Sequence, residues 1–190
     1  MSLSNNVFLI GMPGAGKTTV GRMLANALGQ PFVDSDEEIV RRNGVPISAI
    51  FEIEGEAGFR EREAAIVDEL SRIEDVVLAT GGGAILREDT RCALRSRGLV
   101  VYLRTSIDTL ESRTRKKRGA MANKRPLLAG ENRRAMLEAL LTHREPLYME
   151  AAHIVIESAT MHRERFLQTL LEAVIQARQQ FGVAEQSHSN

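Results

Sequence analysis

The sequence holds few of the residues that cross-link a fold or cluster around a metal. Cys92 is the only cysteine among the 190 residues, which excludes an internal disulfide framework and a cysteine-based metal site. The histidines lie at positions 143, 153, 162 and 188 and show no metal-ligand spacing. A chain with one cysteine suits the reduced cytoplasm, and we expect it there.

Long apolar runs and an excess of one charge are also lacking. No stretch approaches the roughly 20 apolar residues that span a membrane, and the N-terminus lacks a basic segment followed by an apolar one. Lysine plus arginine total 25, as do aspartate plus glutamate, so no net field draws the chain to nucleic acid or to an anionic membrane. We expect a soluble, non-exported protein that binds neither.

The pattern of apolar residues predicts an α/β fold. Short apolar runs begin near residues 7, 32, 76, 99 and 154, and helical stretches separate them. This alternation predicts a five-stranded parallel sheet in a three-layer fold, with ligands bound beyond the carboxyl ends of the strands. Because the length suits one domain, we predict a single domain over residues 1–183 and a disordered polar tail over residues 184–190.

Residues 11–18, the phosphate loop, read GMPGAGKT and match the complete pattern G-x-x-x-x-G-K-T. Glycines let backbone N–H groups approach a polyphosphate closely at a helix N-terminus. Lys17 is expected to reach the β- and γ-phosphates, and Thr18 to bind Mg²⁺. A glycine-rich turn with a chance lysine is the alternative. Because a strand pattern precedes the loop and a helix pattern follows it, we predict a nucleoside triphosphate site.

Two carboxylates, Asp34 and Asp36, follow the second predicted strand. One could serve a metal and the other a substrate, but Asp36 could equally be the cap of the helix that begins after it. Many phosphate-loop enzymes end the third strand with a Mg²⁺-linked aspartate, whereas residues 78–81 read LATG here. Asp34 is therefore the candidate for the metal.

Arg60 and a run of three glycines are further candidates for ligand contacts. Arg60 lies in a helical pattern, where an arginine is usually solvated or paired within its own helix. Gly81, Gly82 and Gly83 follow the third strand, and residues without Cβ let a ligand approach the backbone closely. The glycine run indicates a binding site, whereas Arg60 taken alone does not.

The segment from residue 113 to residue 132 breaks the alternation of strands and helices. It is rich in cations and contains Gly119, Pro126 and Gly130, which favour a mobile lid over a regular element. Arg125 could neutralise charge on a transferred phosphoryl group when such a lid closes. The cations could instead contact nucleic acid, but no aromatic residues are interleaved among them to stack on bases.

Together these motifs resemble the shikimate kinase family, small phosphate-loop kinases that are similar to nucleoside monophosphate kinases. The resemblance covers residues 5 to about 157 and rests on the order and intervals of six motifs. They are the phosphate loop, Asp34-Ser35-Asp36, FRERE at residues 59–63, the three glycines, RPLL at residues 125–128, and Arg144 with Tyr148.

The resemblance implies that the γ-phosphoryl group of ATP is transferred to the 3-hydroxyl of shikimate, in chorismate and aromatic amino-acid biosynthesis. It implies Lys17, Asp36 and Arg125 as catalytic residues, with Asp36 orienting the 3-hydroxyl and accepting its proton. The implied nucleotide contacts are Gly14, Ala15, Gly16, Lys17, Thr18, Thr19, Arg113 and Arg125. The implied shikimate contacts are Asp36, Arg60, Gly81, Gly82, Gly83 and Arg144, with a substrate-binding segment over residues 34–63. Thr18 and Asp34 would support Mg²⁺, and a monomer is the default expectation.

Two departures from the family pattern limit what the resemblance implies. The lid is longer than in typical members, and residues 158–163 give no match for the family's adenine contact after the last strand. Two other functions stay open. One is a related small-molecule kinase, such as a gluconate-type kinase, and the other is a nucleotide-binding regulatory module with a vestigial acceptor site.

Overall fold

Five strands and seven helices make up the described part of a computed structural model, residues 4–116, 132–157 and 163–182. The strands are β1 (Val7–Ile10), β2 (Phe32–Asp34), β3 (Val77–Ala79), β4 (Leu99–Arg104) and β5 (Ile154–Glu157). The helices are α1 (Lys17–Leu28), α2 (Ser35–Asn43), α3 (Ile47–Leu70), α4 (Glu88–Arg97), α5 (Ile107–Lys116), α6 (Arg133–Ala151) and α7 (Arg163–Gln180), with a short 3-10 turn at Ala84–Leu86.

The strands form one parallel sheet in the order β2-β3-β1-β4-β5, which confirms the predicted five-stranded parallel sheet. Val7 of the central strand β1 pairs with Val77 of β3 on one side and Leu99 of β4 on the other. All four β1 residues are fully buried, because a parallel sheet is covered on both faces and needs apolar side chains on each. The phosphate loop after β1 therefore emerges beside the glycine loop (residues 81–83) after β3.

Helix α3 is bent at Gly55, whose φ of 71° and ψ of −176° are not helical. Side chains of α2 and of the part of α3 near this bend form a small apolar cluster of their own. Its buried members are Ile39, Ile47, Ile50 and Phe59. The rings of Phe51 and Phe59 stack there with their centroids 4.5 Å apart. The predicted substrate-binding segment thus has a core distinct from the one around the sheet.

Some predictions fall outside the described residues. Most of the predicted lid, including residues 117–131, lies there, and so does the predicted tail over residues 184–190. Among the residues that the structure describes, no helix is long and apolar enough to cross a membrane.

Candidate active site

The phosphate loop leads from the carboxyl end of β1 directly into α1. Gly11, Gly14 and Gly16 have φ values of 143°, 88° and 99°, which residues with a Cβ rarely adopt. Gly16 occupies the cap position of α1 and supplies no side-chain hydrogen bond to the first turn. That turn therefore suits an anionic ligand, which the helix dipole also favours. Thr19, predicted as a nucleotide contact, is exposed in the same turn.

Two predicted cations lie against the phosphate loop. Lys17 is buried, and its Nζ donates hydrogen bonds to the carbonyl oxygens of Gly11 at 2.7 Å and Met12 at 3.0 Å. Arg113 of α5 donates through Nη1 to the carbonyl oxygen of Ala15 at 2.9 Å. Positive charge is thus held at both ends of the loop, close to where phosphate oxygens would bind.

Thr18 and Asp34 connect α1 to the end of β2. The Thr18 hydroxyl donates a hydrogen bond to Oδ2 of Asp34 at 2.6 Å. Oδ1 of Asp34 accepts from the backbone N–H groups of Asp36 and Glu37 at 2.9 and 3.3 Å, and Asp34 therefore caps α2. The alternative that Asp36 is the helix cap is wrong, because the helix begins one residue before it, at Ser35.

The environment of Asp34 fits a bound cation. Burial raises the pKa of Asp34, and the hydrogen bond from Thr18 offsets part of that effect. A cation would stabilise the carboxylate that burial destabilises. Within the described ranges, no group of three His, Cys, Asp or Glu side chains could hold a metal. One carboxylate with one hydroxyl still fits Mg²⁺, which completes its shell with phosphate oxygens and water.

The backbone of the glycine loop is held at one end by α2. The N–H of Gly81 donates to Oγ of the buried Ser35 at 2.9 Å. The carbonyl oxygen of Gly81 accepts from the N–H of Ala84 at 3.2 Å. No described residue accepts a hydrogen bond from the N–H of Gly82 or of Gly83. The loop therefore presents two consecutive N–H donors that a ligand could use.

Two side chains of α6 hold the other end of the loop by the carbonyl oxygen of Gly82. Arg144 donates to this oxygen through Nη1 at 3.2 Å, and the Tyr148 hydroxyl donates at 2.5 Å. Residues four apart share one face of a helix, and both side chains are buried against the loop. The predicted shikimate contact Arg144 is thereby fixed beside the glycine loop.

Side chains from α2 and α3 crowd the other side of the loop. A Cβ built on Gly81 would lie 2.1 Å from Oε1 of Glu63 and 2.8 Å from Oδ1 of Asp36. A Cβ on Gly83 would lie 2.2 Å from Nη1 of Arg60. A Cβ on Gly81 or Gly83 would therefore force these charged side chains to move away from the loop.

Gly82 also brings the glycine loop against the phosphate loop. A Cβ on Gly82 would lie 2.8 Å from Cδ and 3.0 Å from Cγ of Pro13. Since Pro13 belongs to the phosphate loop, the two loops touch at this point. A ligand on the free N–H donors would therefore lie next to the site for a polyphosphate.

Arg60 forms ion pairs within its helix and also reaches the glycine loop. Its Nη1 lies 2.6 Å from Oε2 of Glu63, and its Nη2 lies 3.1 Å from Oε1 of Glu56. Its Nε is buried and has no hydrogen-bond partner among the described residues. The side chain is 15% exposed, and its guanidinium is suited to pair with an acidic ligand at the loop.

The structure thus brings Asp36, Arg60 and Arg144 together at the glycine loop. Arg125, predicted on the lid, lies outside the described residues. Ser35, Glu63 and Tyr148 also build the site but were not among the predicted site residues. Ser35 lies between the two predicted aspartates, whereas Glu63 and Tyr148 follow the predicted arginines at helical spacings of three and four residues.

The family model and the similar sequences share one description. The sequence model of a family described as shikimate kinase matches residues 13–175. A shikimate kinase of Nitrosomonas europaea is 48% identical over 183 residues, which cover 96% of this chain and 84% of that protein. A shikimate kinase of Burkholderia pseudomallei is 56% identical over 153 residues, 80% of each chain.

Solved structures are similar over nearly the whole chain. The shikimate kinase of Acinetobacter baumannii in complex with shikimate has a TM-score of 0.85 and 46% identity, and the match covers 92% of this chain and 94% of that one. A gluconokinase of Sinorhizobium meliloti has a TM-score of 0.58 and 19% identity, over 99% and 100% of the two chains. The second likeness shows a shared fold alone.

Proposed function

This chain belongs to the shikimate kinase family, and on that premise we propose that it transfers the γ-phosphoryl group of ATP to the 3-hydroxyl of shikimate. The products are shikimate 3-phosphate and ADP. We also propose that it works in the cytoplasm, as a monomer.

The observation that carries the proposal is the glycine loop packed against the phosphate loop. Shikimate is a carboxylated ring with three hydroxyl groups, so its site needs cations for the carboxylate and polar groups for the hydroxyls. Arg60 and Arg144 converge on the loop from two helices, and the N–H groups of Gly82 and Gly83 point to no described acceptor. Such a site suits an acidic polyol next to a nucleotide.

Asp36 is the group that we assign to the reacting hydroxyl. Its Oδ1 lies within 2.8 Å of a Cβ position on Gly81, at the edge of the loop that faces α2. There it would orient the 3-hydroxyl of shikimate and accept its proton as the phosphoryl group is transferred. The cap of α2 is Asp34 and not Asp36.

Lys17 and Arg125 are the cations that we assign to the transferred phosphoryl group. Phosphoryl transfer passes through a loose transition state, so catalysis rests on positioning and charge neutralisation. Lys17 already holds its ammonium over the phosphate loop by two hydrogen bonds to backbone carbonyls. We assign Lys17 to the β- and γ-phosphates of the nucleotide, and Arg125 would approach from the lid.

Thr18 and Asp34 would hold Mg²⁺ with the nucleotide. When bound, the ion supplies positive charge to the β- and γ-phosphates. Asp34 can act through water, because its two oxygens already accept hydrogen bonds from Thr18 and from the start of α2. The pair would hold the ion, and its hydrogen bonds link the start of α2 to α1.

The function is tested by following ADP release with shikimate or gluconate as acceptor, each against a blank without acceptor. ADP release that depends on shikimate and exceeds the release with gluconate supports the proposal. Release that depends on gluconate would instead favour the gluconate-type kinase. A chain that binds ATP but releases no ADP with either acceptor would behave as a regulatory module, and the proposal would be withdrawn.

A further inference from the structure

The buried hydroxyl of Tyr148 donates a hydrogen bond to the carbonyl oxygen of Gly82 at 2.5 Å. Arg144 donates to the same oxygen at the longer distance of 3.2 Å. Tyr148 is fully buried, so its hydroxyl acts on the backbone of the glycine loop. The consequence of this bond depends on what the Gly82 carbonyl is connected to.

The Gly82 carbonyl and the Gly83 N–H belong to the same peptide unit. That unit is planar, and none of the described peptide bonds is cis. A hydrogen bond that fixes the direction of the carbonyl therefore fixes the N–H in the opposite direction. With glycine on both sides, no Cβ restricts rotation of the unit. The direction of the Gly83 N–H is thus set by the groups that hold the carbonyl.

The preceding peptide unit is fixed in the same way. The Gly81 carbonyl accepts from the N–H of Ala84 at 3.2 Å, and that carbonyl shares a plane with the N–H of Gly82. The backbone itself therefore orients the first free donor of the loop. The second free donor, on Gly83, has no such backbone bond and depends on α6.

We propose that Tyr148 is a positioning residue that sets the direction of the Gly83 N–H and thereby the affinity of the glycine loop for the acceptor substrate. This inference rests on the proposed function of the loop as the shikimate site. Arg144 donates to the same oxygen, but at the longer distance of 3.2 Å, so the 2.5 Å bond from Tyr148 is the stronger constraint on the carbonyl. Without the hydroxyl, the longer bond from Arg144 would remain.

Tyr102 offers a matched control. Its ring stacks on that of Tyr148 with centroids 4.9 Å apart and an angle of 18° between the planes. Tyr102 is also buried, but its hydroxyl has no hydrogen-bond partner among the described residues. Tyr148→Phe and Tyr102→Phe thus remove the same group from the same pair of rings, and only the first change affects the glycine loop.

The test compares steady-state kinetics of the parent, Tyr148→Phe and Tyr102→Phe, with shikimate and ATP varied in turn. For Tyr148→Phe we expect the KM for shikimate to rise about tenfold while kcat and the KM for ATP change less than about threefold. Loss of an oriented donor weakens binding of the substrate and of its transition state alike, so KM changes and kcat does not. Tyr102→Phe should match the parent in all three constants.

A rescue variant separates orientation from packing. Incorporation of 4-aminophenylalanine at position 148 restores a donor on a ring of similar shape, and the KM for shikimate should return to within about threefold of the parent value. A parent-like KM for shikimate in Tyr148→Phe, an equal rise in both KM values, or the same shift in Tyr102→Phe would each overturn the inference. If the parent itself does not phosphorylate shikimate, the proposed function fails and this inference fails with it.

Discussion

Thr18 and Asp34 lie 16 residues apart in the sequence, yet the hydroxyl of one donates to the carboxylate of the other at 2.6 Å. The same carboxylate caps α2. One side chain therefore links the helix of the phosphate loop to the helix that carries Asp36. We infer that the nucleotide half and the acceptor half of the site are held in register at this carboxylate.

Asp34→Asn should stabilise the free protein and impair its use of Mg²⁺. Burial raises the pKa of Asp34 above its ordinary 3.8, so the folded state carries a penalty for the charged form at neutral pH. Asparagine can still cap α2. We expect the Tm at pH 7 to rise by about 2–4 °C, the effect of about 1 kcal/mol in a chain of this size.

Two measurements check the predicted effects of Asp34→Asn, one at varied pH and one at varied Mg²⁺ concentration. The penalty is absent below the unfolded pKa of 3.8, so the difference in Tm between variant and parent should shrink as pH falls toward 4. In turnover, the Mg²⁺ concentration for half-maximal rate should rise roughly 10- to 100-fold. A variant with lower Tm at pH 7 and an unchanged Mg²⁺ requirement would contradict both roles.

Arg60→Ala should weaken shikimate binding and leave ATP binding unchanged. A hydrogen-bonded charge is removed from the glycine loop, which we expect to lower the affinity for shikimate by roughly 10- to 100-fold. Isothermal titration calorimetry measures both ligands separately. Arg62→Ala is the control, because Arg62 lies on the same helix but pairs with Glu54 at the surface. Equal losses of shikimate affinity in the two variants would show that Arg60 has no specific role in binding shikimate.

Asp36→Asn should lower turnover far more than nucleotide affinity. An amide keeps the size of the side chain but cannot accept the proton of the hydroxyl, and a proton acceptor contributes typically 10²- to 10⁴-fold in rate. We expect a fall of about that size in kcat, with the affinity for ATP within about twofold of the parent. Near-normal turnover would exclude Asp36 as the essential proton acceptor.

The titration of His153 should lower the free energy of unfolding as the pH falls. Burial, together with the charge of Arg95, lowers the pKa of His153. The Nδ1 of His153 accepts a hydrogen bond from the N–H of Val100 at 3.0 Å, which requires that nitrogen to be unprotonated. The unfolded chain therefore takes up a proton from about pH 6.5 downward before the folded chain does, at a loss of at most about 1.4 kcal/mol per pH unit.

His153→Asn isolates this titration from the others. The Asn Oδ1 can accept from Val100 as Nδ1 does, but the amide does not take up a proton in this range. Thermal melts of the two proteins between pH 8 and pH 5 should show the parent losing more stability than the variant. If the stability of the two proteins changes with pH in the same way, the pKa of His153 does not differ between the folded and unfolded chains.

The strands and the phosphate loop could be predicted because their signals are local. A buried parallel strand appears as a short apolar run, as in β1, and the phosphate loop is a contiguous motif. The bend at Gly55 and the cap at Asp34 were missed, because exact helix boundaries depend on contacts with the rest of the chain.

The contacts that hold the glycine loop in place could not be derived from the spacing of residues in the sequence alone. Ser35 and Gly81 are 46 residues apart, and Tyr148 and Gly82 are 66 apart. Only the fold brings such pairs together. The resemblance to a family implied Arg60 and Arg144 as shikimate contacts. It did not indicate which side chains hold the glycine loop.

Identification of the product shows which hydroxyl group receives the phosphoryl group. The protein would be incubated with ATP, Mg²⁺ and shikimate, and the products followed by phosphorus and proton NMR. We predict one new phosphomonoester coupled to the proton on carbon 3 of the ring, formed in the same amount as ADP. Release of inorganic phosphate without a phosphorylated ring, or phosphate on a different hydroxyl, would contradict the geometry assigned to Asp36 and the glycine loop.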